Sequence, residues 1–141
     1  MKSIPVSTAD NLNLCGRTDL FVLPEGLLVG GNLYLAGCIG LTTLPRDLKV
    51  GGLIDLSGCT SLVSLPTGLQ VNDTLDLTGC VRLVSLPNSL MVGGDLNLTG
   101  CTRLAALPFG MMVKGDLDIT GCTELAALPR GLWVDGRIIL K

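Results

Sequence analysis

From Val92 to Thr99 the chain alternates. Val92, Gly94, Leu96 and Leu98 are aliphatic or glycine, while Gly93, Asp95, Asn97 and Thr99 between them are small or polar. A period of two predicts a half-buried strand, with the first set turned inward and the second outward. Gly100 follows, and a glycine there permits a sharp corner. Leu104 and Leu107 stand three apart, but Pro108 comes directly after them, too soon for a helix. Proline fixes φ and removes a donor, so the return limb is expected to be extended or polyproline-like.

The same phrase begins at Leu12, Leu33, Ile54, Leu75, Leu96 and Leu117, each 21 residues after the last, and restarts at Ile138. A fixed period of this length is the signature of a solenoid. One coil cannot bury its leucines alone, but stacked coils cover each other. Stacking at about 4.8 Å predicts one parallel sheet with one strand per coil. Residues 1–11 do not match the full pattern and are expected to be an N-terminal cap, with Ile4, Pro5 and Val6 over the first coil. Residues 12–141 read as six repeats and a partial seventh.

Length and composition sharpen this. A chain of 141 residues reads as one domain. Apolar residues make up 48% and charged residues 16%, too apolar for a disordered chain. Aromatics are only 3%, so the core must be aliphatic. A net charge of −2 and a pI near 4.8 argue against nucleic acid as a partner. No run of 18 apolar residues occurs, so no membrane partner or span is expected, and the first ten residues carry no apolar core of a secretory signal.

Five of the six cysteines (Cys38, Cys59, Cys80, Cys101 and Cys122) occupy one position of the repeat, and Cys15 falls two positions early. Such a ladder predicts buried thiols that act as small hydrophobes and weak donors to carbonyls, not a disulfide framework. It suits a reducing, cytoplasmic setting. The chain has no His and no C-x-x-C pair, so neither metal nor cofactor is expected. The Ser-His and Cys-His nucleophile arrangements are unavailable, and the chain is expected to be no enzyme.

The run Leu56, Ser57, Gly58, Cys59, Thr60, Ser61, Leu62, then Leu65 and Pro66, resembles the repeats of leucine-rich-repeat proteins. The short period and the Leu-Pro step look like bacterial members. The resemblance implies a right-handed curved solenoid, α/β by family convention though mostly β in content, with one parallel sheet and little regular helix. It also implies a concave sheet face that binds another protein.

Because the copies are in register, outward positions form columns. One is Asn13, Tyr34, Asp55, Asp76, Asn97, Asp118 and Ile139; another, two residues earlier, is Asn32, Leu53, Thr74, Asp95, Asp116 and Arg137. Together they predict an acidic strip for a basic partner. A third is Leu28, Lys49, Gln70, Met91, Met112 and Trp133. Its apolar half, with Ile139 near it, predicts an interface patch, since Trp and Met anchor contacts. The expected contact residues are therefore Tyr34, Asp55, Asp76, Asp95, Asn97, Asp116, Asp118, Met91, Met112, Trp133 and Ile139. A fourth column, Ser57, Thr78, Thr99 and Thr120, lies beside Asp and Asn rather than a second threonine row, which does not suit water ordering. The leucines at the C-terminal end offer an alternative, a homodimer meeting end to end.

Overall fold

The computed structural model describes residues 4–140; residues 1–3 of the expected cap and Lys141 of the partial seventh coil lie outside the described residues. The described chain is a parallel β-solenoid of about six turns, mostly short strands and turns, with no helix.

Each coil carries two strands of two residues. In chain order they are β1 Ser7–Thr8, β2 Leu12–Asn13, β3 Leu28–Val29, β4 Leu33–Tyr34, β5 Lys49–Val50, β6 Ile54–Asp55 and β7 Gln70–Val71. They continue as β8 Leu75–Asp76, β9 Met91–Val92, β10 Leu96–Asn97, β11 Met112–Val113, β12 Leu117–Asp118, β13 Trp133–Val134 and β14 Ile138–Ile139. The even-numbered strands form one continuous seven-stranded sheet. The odd-numbered strands form a three-stranded sheet, β1-β3-β5, and a four-stranded one, β13-β11-β9-β7.

The expectation of one sheet with one strand per coil is therefore corrected. The alternation of buried and outward residues does run from Val92 to Leu98 as the sequence predicts, but the backbone bends at Gly93 and Gly94 between β9 and β10. Period two records which side a residue faces and says nothing about a bend between two strands that keep the same parity. Register is as expected: every pairing joins residues 21 apart, from Ser7 with Leu28 to Asp118 with Ile139. The register thus reaches back into the N-terminal segment, where Ile4 packs against the core and Val6 is exposed.

Besides the turn from each ladder cysteine to the leucine three residues on, two turns shape a coil. At the first, Cys38 N–H bonds Leu35 O at 3.1 Å around Gly37, whose φ is 73°. A positive φ at the third residue is the type II geometry that glycine supplies. At the second, Leu69 N–H bonds Pro66 O at 3.3 Å around Gly68, φ 81°. Ser89 occupies this second position in its coil and takes φ 60°. It alone among the described non-glycine residues has a positive φ, a strained choice for an L-residue.

The core is a stack of aliphatic rungs. In one coil Leu96, Leu98, Cys101, Leu104, Leu107, Met111 and Val113 are all buried. A buried aliphatic side chain is worth roughly 1.5–3 kcal/mol, and burial here comes from the neighbouring coils. The last rung shows this: Cys122, Leu125, Leu132 and Val134 are only partly buried, and Leu128 and Leu140 are exposed.

Candidate functional site

The seven-stranded sheet uses its outward column for itself. Asp76 Oδ1 accepts the Thr78 backbone N–H at 3.0 Å and the Thr78 hydroxyl at 2.6 Å. Asp55 does the same with Ser57, and Asp118 with Thr120. Asn13 and Asn97 take the backbone N–H of Cys15 and Thr99. These are Asx turns, in which the side chain satisfies its own backbone two residues on and sets up the glycine corner. The hydroxyls of Ser57, Thr78 and Thr120 are donated inward to carboxylates. Tyr34 is half-buried and its hydroxyl oxygen accepts from Asn32 Nδ2 at 3.0 Å.

The column through the bend stitches one coil to the next. Asn32 N–H bonds Asn11 Oδ1 at 2.7 Å, and Leu53 N–H bonds Asn32 Oδ1 at 2.9 Å. After the apolar Leu53 the series resumes: Asp95 N–H to Thr74 Oγ1, Asp116 N–H to Asp95 Oδ1, and Arg137 N–H to Asp116 Oδ1. The glycine before each stitched residue leaves room for it, since a Cβ at Gly52 or Gly115 would overlap Asn32 Oδ1 or Asp95 Oδ1. The Arg137 backbone N–H, then its guanidinium at 3.3 Å, hold the Asp116 carboxyl below its usual range. All five carboxylates of the expected acidic strip thus have structural partners.

The expected contact set is also divided between faces. Tyr34, Asp55, Asp76, Asn97, Asp118 and Ile139 lie on the seven-stranded sheet, and Asp95 and Asp116 in the bend. Met91, Met112 and Trp133 lie on the four-stranded sheet, in register with Gln70. Ile139 pairs with Asp118, so it joins the other sheet rather than the Met/Trp column. The bend separates what one long strand would have joined.

The Met/Trp column is the one whose side chains are left over. Met91 is 40% exposed and Trp133 59%, with Met112 half-buried between them; Trp133 Nε1 donates to Asp135 Oδ1. Beside it a hollow of about 150 Å³ is lined by Gln70, Asn72, Met91, Met112 and Lys114, among others. A second hollow of about 420 Å³ lies across Thr8, Leu28, Lys49 and Gly51 and also reaches Asn72. They meet where the odd-numbered ladder breaks. Lys49 N–H bonds Leu27 O, and Gly51 N–H bonds Val29 O at 2.8 Å. Among the described residues, the corresponding bonds from Gln70 and Asn72 to Leu48 and Val50 are missing, and Asn72 Nδ2 reaches Val50 O instead at 3.2 Å. Lys114 and Asp135 also carry a Cβ at this column and still pair, so the amide of Asn72, not its bulk alone, marks the seam.

The cysteine ladder is internal, as its spacing predicts. Cys38, Cys59, Cys80, Cys101 and Cys122 each donate a thiol hydrogen to a leucine carbonyl of the previous coil at 3.1–3.2 Å. Burial pushes the Cys59 and Cys101 thiols from 9.0 to about 12, and raises Cys80 as well. All six cysteines are free, and Cys15 is exposed.

Sequence reasoning missed two surfaces. Phe21, Val22, Ile39, Val63, Val81 and Val84 are exposed on the return limbs, beside a hollow of about 430 Å³ lined partly by Val22, Glu25 and Arg46. The seam at Asn72 was visible only as an odd letter in a column that reads Gly30, Gly51 and Gly93 in the neighbouring coils. Searches of protein families, of curated proteins and of solved structures return no match for this chain.

Proposed function

We propose that this solenoid is a leucine-rich-repeat-type scaffold, right-handed and cytoplasmic, that binds another protein without catalysing a reaction. The leucine, glycine, cysteine and proline positions of the repeat support the class. The binding reading rests on one observation, the in-register column of exposed Met91 and Trp133 with half-buried Met112 between them, beside a hollow. Met and Trp are favoured anchors where a partner excludes water. The seven-stranded face is a poorer candidate, because its carboxylates already hold turns and coils together.

The test is affinity capture with the immobilised chain, wild type against Trp133→Ala and Met112→Ala. Loss of an anchor of this kind costs about 2 kcal/mol or more, roughly 30-fold in affinity. A retained partner whose binding ignores both substitutions would move the site elsewhere.

A second reading, self-association through the C-terminal coil, is favoured by the exposure of Ile138 and by Leu140, 64% exposed on a hollow also lined by Ile119, Cys122 and Leu125. Further coils would cover the same rung, so the measurement belongs to the 141-residue chain itself. Light scattering that stays monomeric at high concentration rejects this reading.

A further inference from the structure

The two hollows that meet at Asn72 share a chemistry. Lys49 lines one and Lys114 the other, and no carboxylate lines either. Both lysines are exposed, and neither joins a salt bridge among the described residues. Among the acidic residues near them, Asp47 sits in the turn before Lys49, and Asp116, two residues beyond Lys114, holds Arg137; Asp73, next to Asn72, is exposed but lines neither hollow. Asp135, in the coil after Lys114, takes the Trp133 Nε1 hydrogen. The net charge of the chain is −2, and these two lysines are the charged residues that line the two hollows. At the seam between them the backbone N–H groups of Gln70 and Asn72 bond no carbonyl of the previous coil. The apolar floor is Met91 and Met112.

We propose that the partner bound on this face is an extended, acidic peptide segment that crosses the seam. It lays aliphatic side chains on Met91 and Met112 and carboxylates against Lys49 and Lys114. Carbonyl oxygens of such a segment accept from the unpaired N–H groups at the seam. Spacing follows from the coil repeat. Lys49 and the Met112 row stand three coils apart, and with the offset of Lys114 the two cations are roughly 15 Å apart at about 4.8 Å per coil. An extended peptide covers that in about five residues at 3.2–3.4 Å each. The segment therefore carries two acidic residues about five positions apart with aliphatic residues between. This inference rests on the binding reading above and reverses the sign of the partner that the acidic columns suggested.

The probe is a dye-labelled peptide with two glutamates about five residues apart and leucines between, titrated against the full chain by fluorescence anisotropy. Two controls accompany it: the same peptide with lysines for the glutamates, and a single-stranded oligonucleotide. The acidic peptide binds, the lysine peptide does not, and added salt weakens binding as it screens exposed charges. Lys49→Glu and Lys114→Glu each weaken it about tenfold, as expected for replacing an exposed attraction with a repulsion. Both positions are exposed, and unchanged melting curves show that the variants fold. No binding of the acidic peptide, equal binding of the lysine peptide, tighter binding of the oligonucleotide, or indifference to both lysine substitutions overturns the proposal. The binding reading falls separately, by capture of a partner that ignores Trp133→Ala and Met112→Ala.

Discussion

The two ladders of this solenoid are built from the same coils, with three residues between their strands, and use their outward side chains in opposite ways. On the seven-stranded sheet the Asp and Asn side chains of the column from Asn13 to Asp118 turn back onto the backbone, oxygen by oxygen, and Tyr34 accepts from Asn32. On the odd-numbered strands the column from Lys49 to Trp133 makes no such bonds, apart from the Trp133 contact with Asp135, and the ladder itself breaks at Asn72. A short polar side chain beside a turn has a donor within reach. A long Met, Gln or Lys side chain on a flat strand does not, so it faces solvent or a partner. Charge by itself did not reveal how the column is used, because the five carboxylates look free until their oxygens are followed to backbone and side-chain donors.

The largest expected effect is alkaline, and it falls on the corners beside the seven-stranded sheet. Burial raises the Cys59 and Cys101 thiols to about 12 from 9.0. A raised folded value means that stability is fully present below pH 9 and is lost as pH rises toward 12, where only the unfolded chain ionises. Each thiol contributes up to about 1.4 kcal/mol per pH unit in that window. Urea unfolding in reductant at about pH 8 and about pH 10.5, on either side of the unfolded thiol's ordinary value, should show the loss, and Cys59→Ala should reduce its slope. A flat profile would mean that the thiols are not held from water.

Next comes a crossed pair. Asp76→Ala removes two hydrogen bonds and should lower unfolding stability by about 1–2 kcal/mol, with partner affinity unchanged. Trp133→Ala should leave the melting midpoint in place while affinity falls. If Asp76→Ala abolished binding in a folded protein, the division of labour between the sheets would be wrong.

Smaller effects probe the odd-numbered side. Ser89→Gly relieves a positive φ and should stabilise by about 0.5–1 kcal/mol, the L-residue penalty less the added freedom of glycine when unfolded. A destabilised variant would show that Ser89 is held by something other than the turn. Asn72→Gly restores the glycine of the column and removes the amide that occupies Val50 O. It should let the backbone N–H of Gln70 and that of the substituted position join the ladder, read as slower amide exchange there with a change in stability within about 1 kcal/mol.

Much of the coil was legible in the chain. In-register copies dictated the parallel pairing and the buried set, because leucines recur at positions that only stacking can cover. The cysteine ladder was legible because five thiols recur at one phase of the repeat, in step with the core leucines, rather than at the irregular spacings of a disulfide framework. The bend was not, since Val92 and Leu96 keep the same parity on either side of Gly93 and Gly94. The Asx turns had a signal, Asp or Asn two residues before Ser or Thr and three before Gly, as in Asp76, Thr78 and Gly79. Read as an acidic column, the motif hid its local chemistry. The seam showed only as Asn72 where the neighbouring coils have glycine, and its meaning was hidden because it depends on which donor reaches Val50 O.

Amide hydrogen exchange of the full chain, with and without the acidic peptide, decides between the two faces. Protection is expected only in β5, β7, β9, β11 and β13 and in the residues of the seam, strongest at the unpaired N–H groups of Gln70 and Asn72. Protection along β6, β8, β10 and β12 would contradict this division and return the contact surface to the acidic columns.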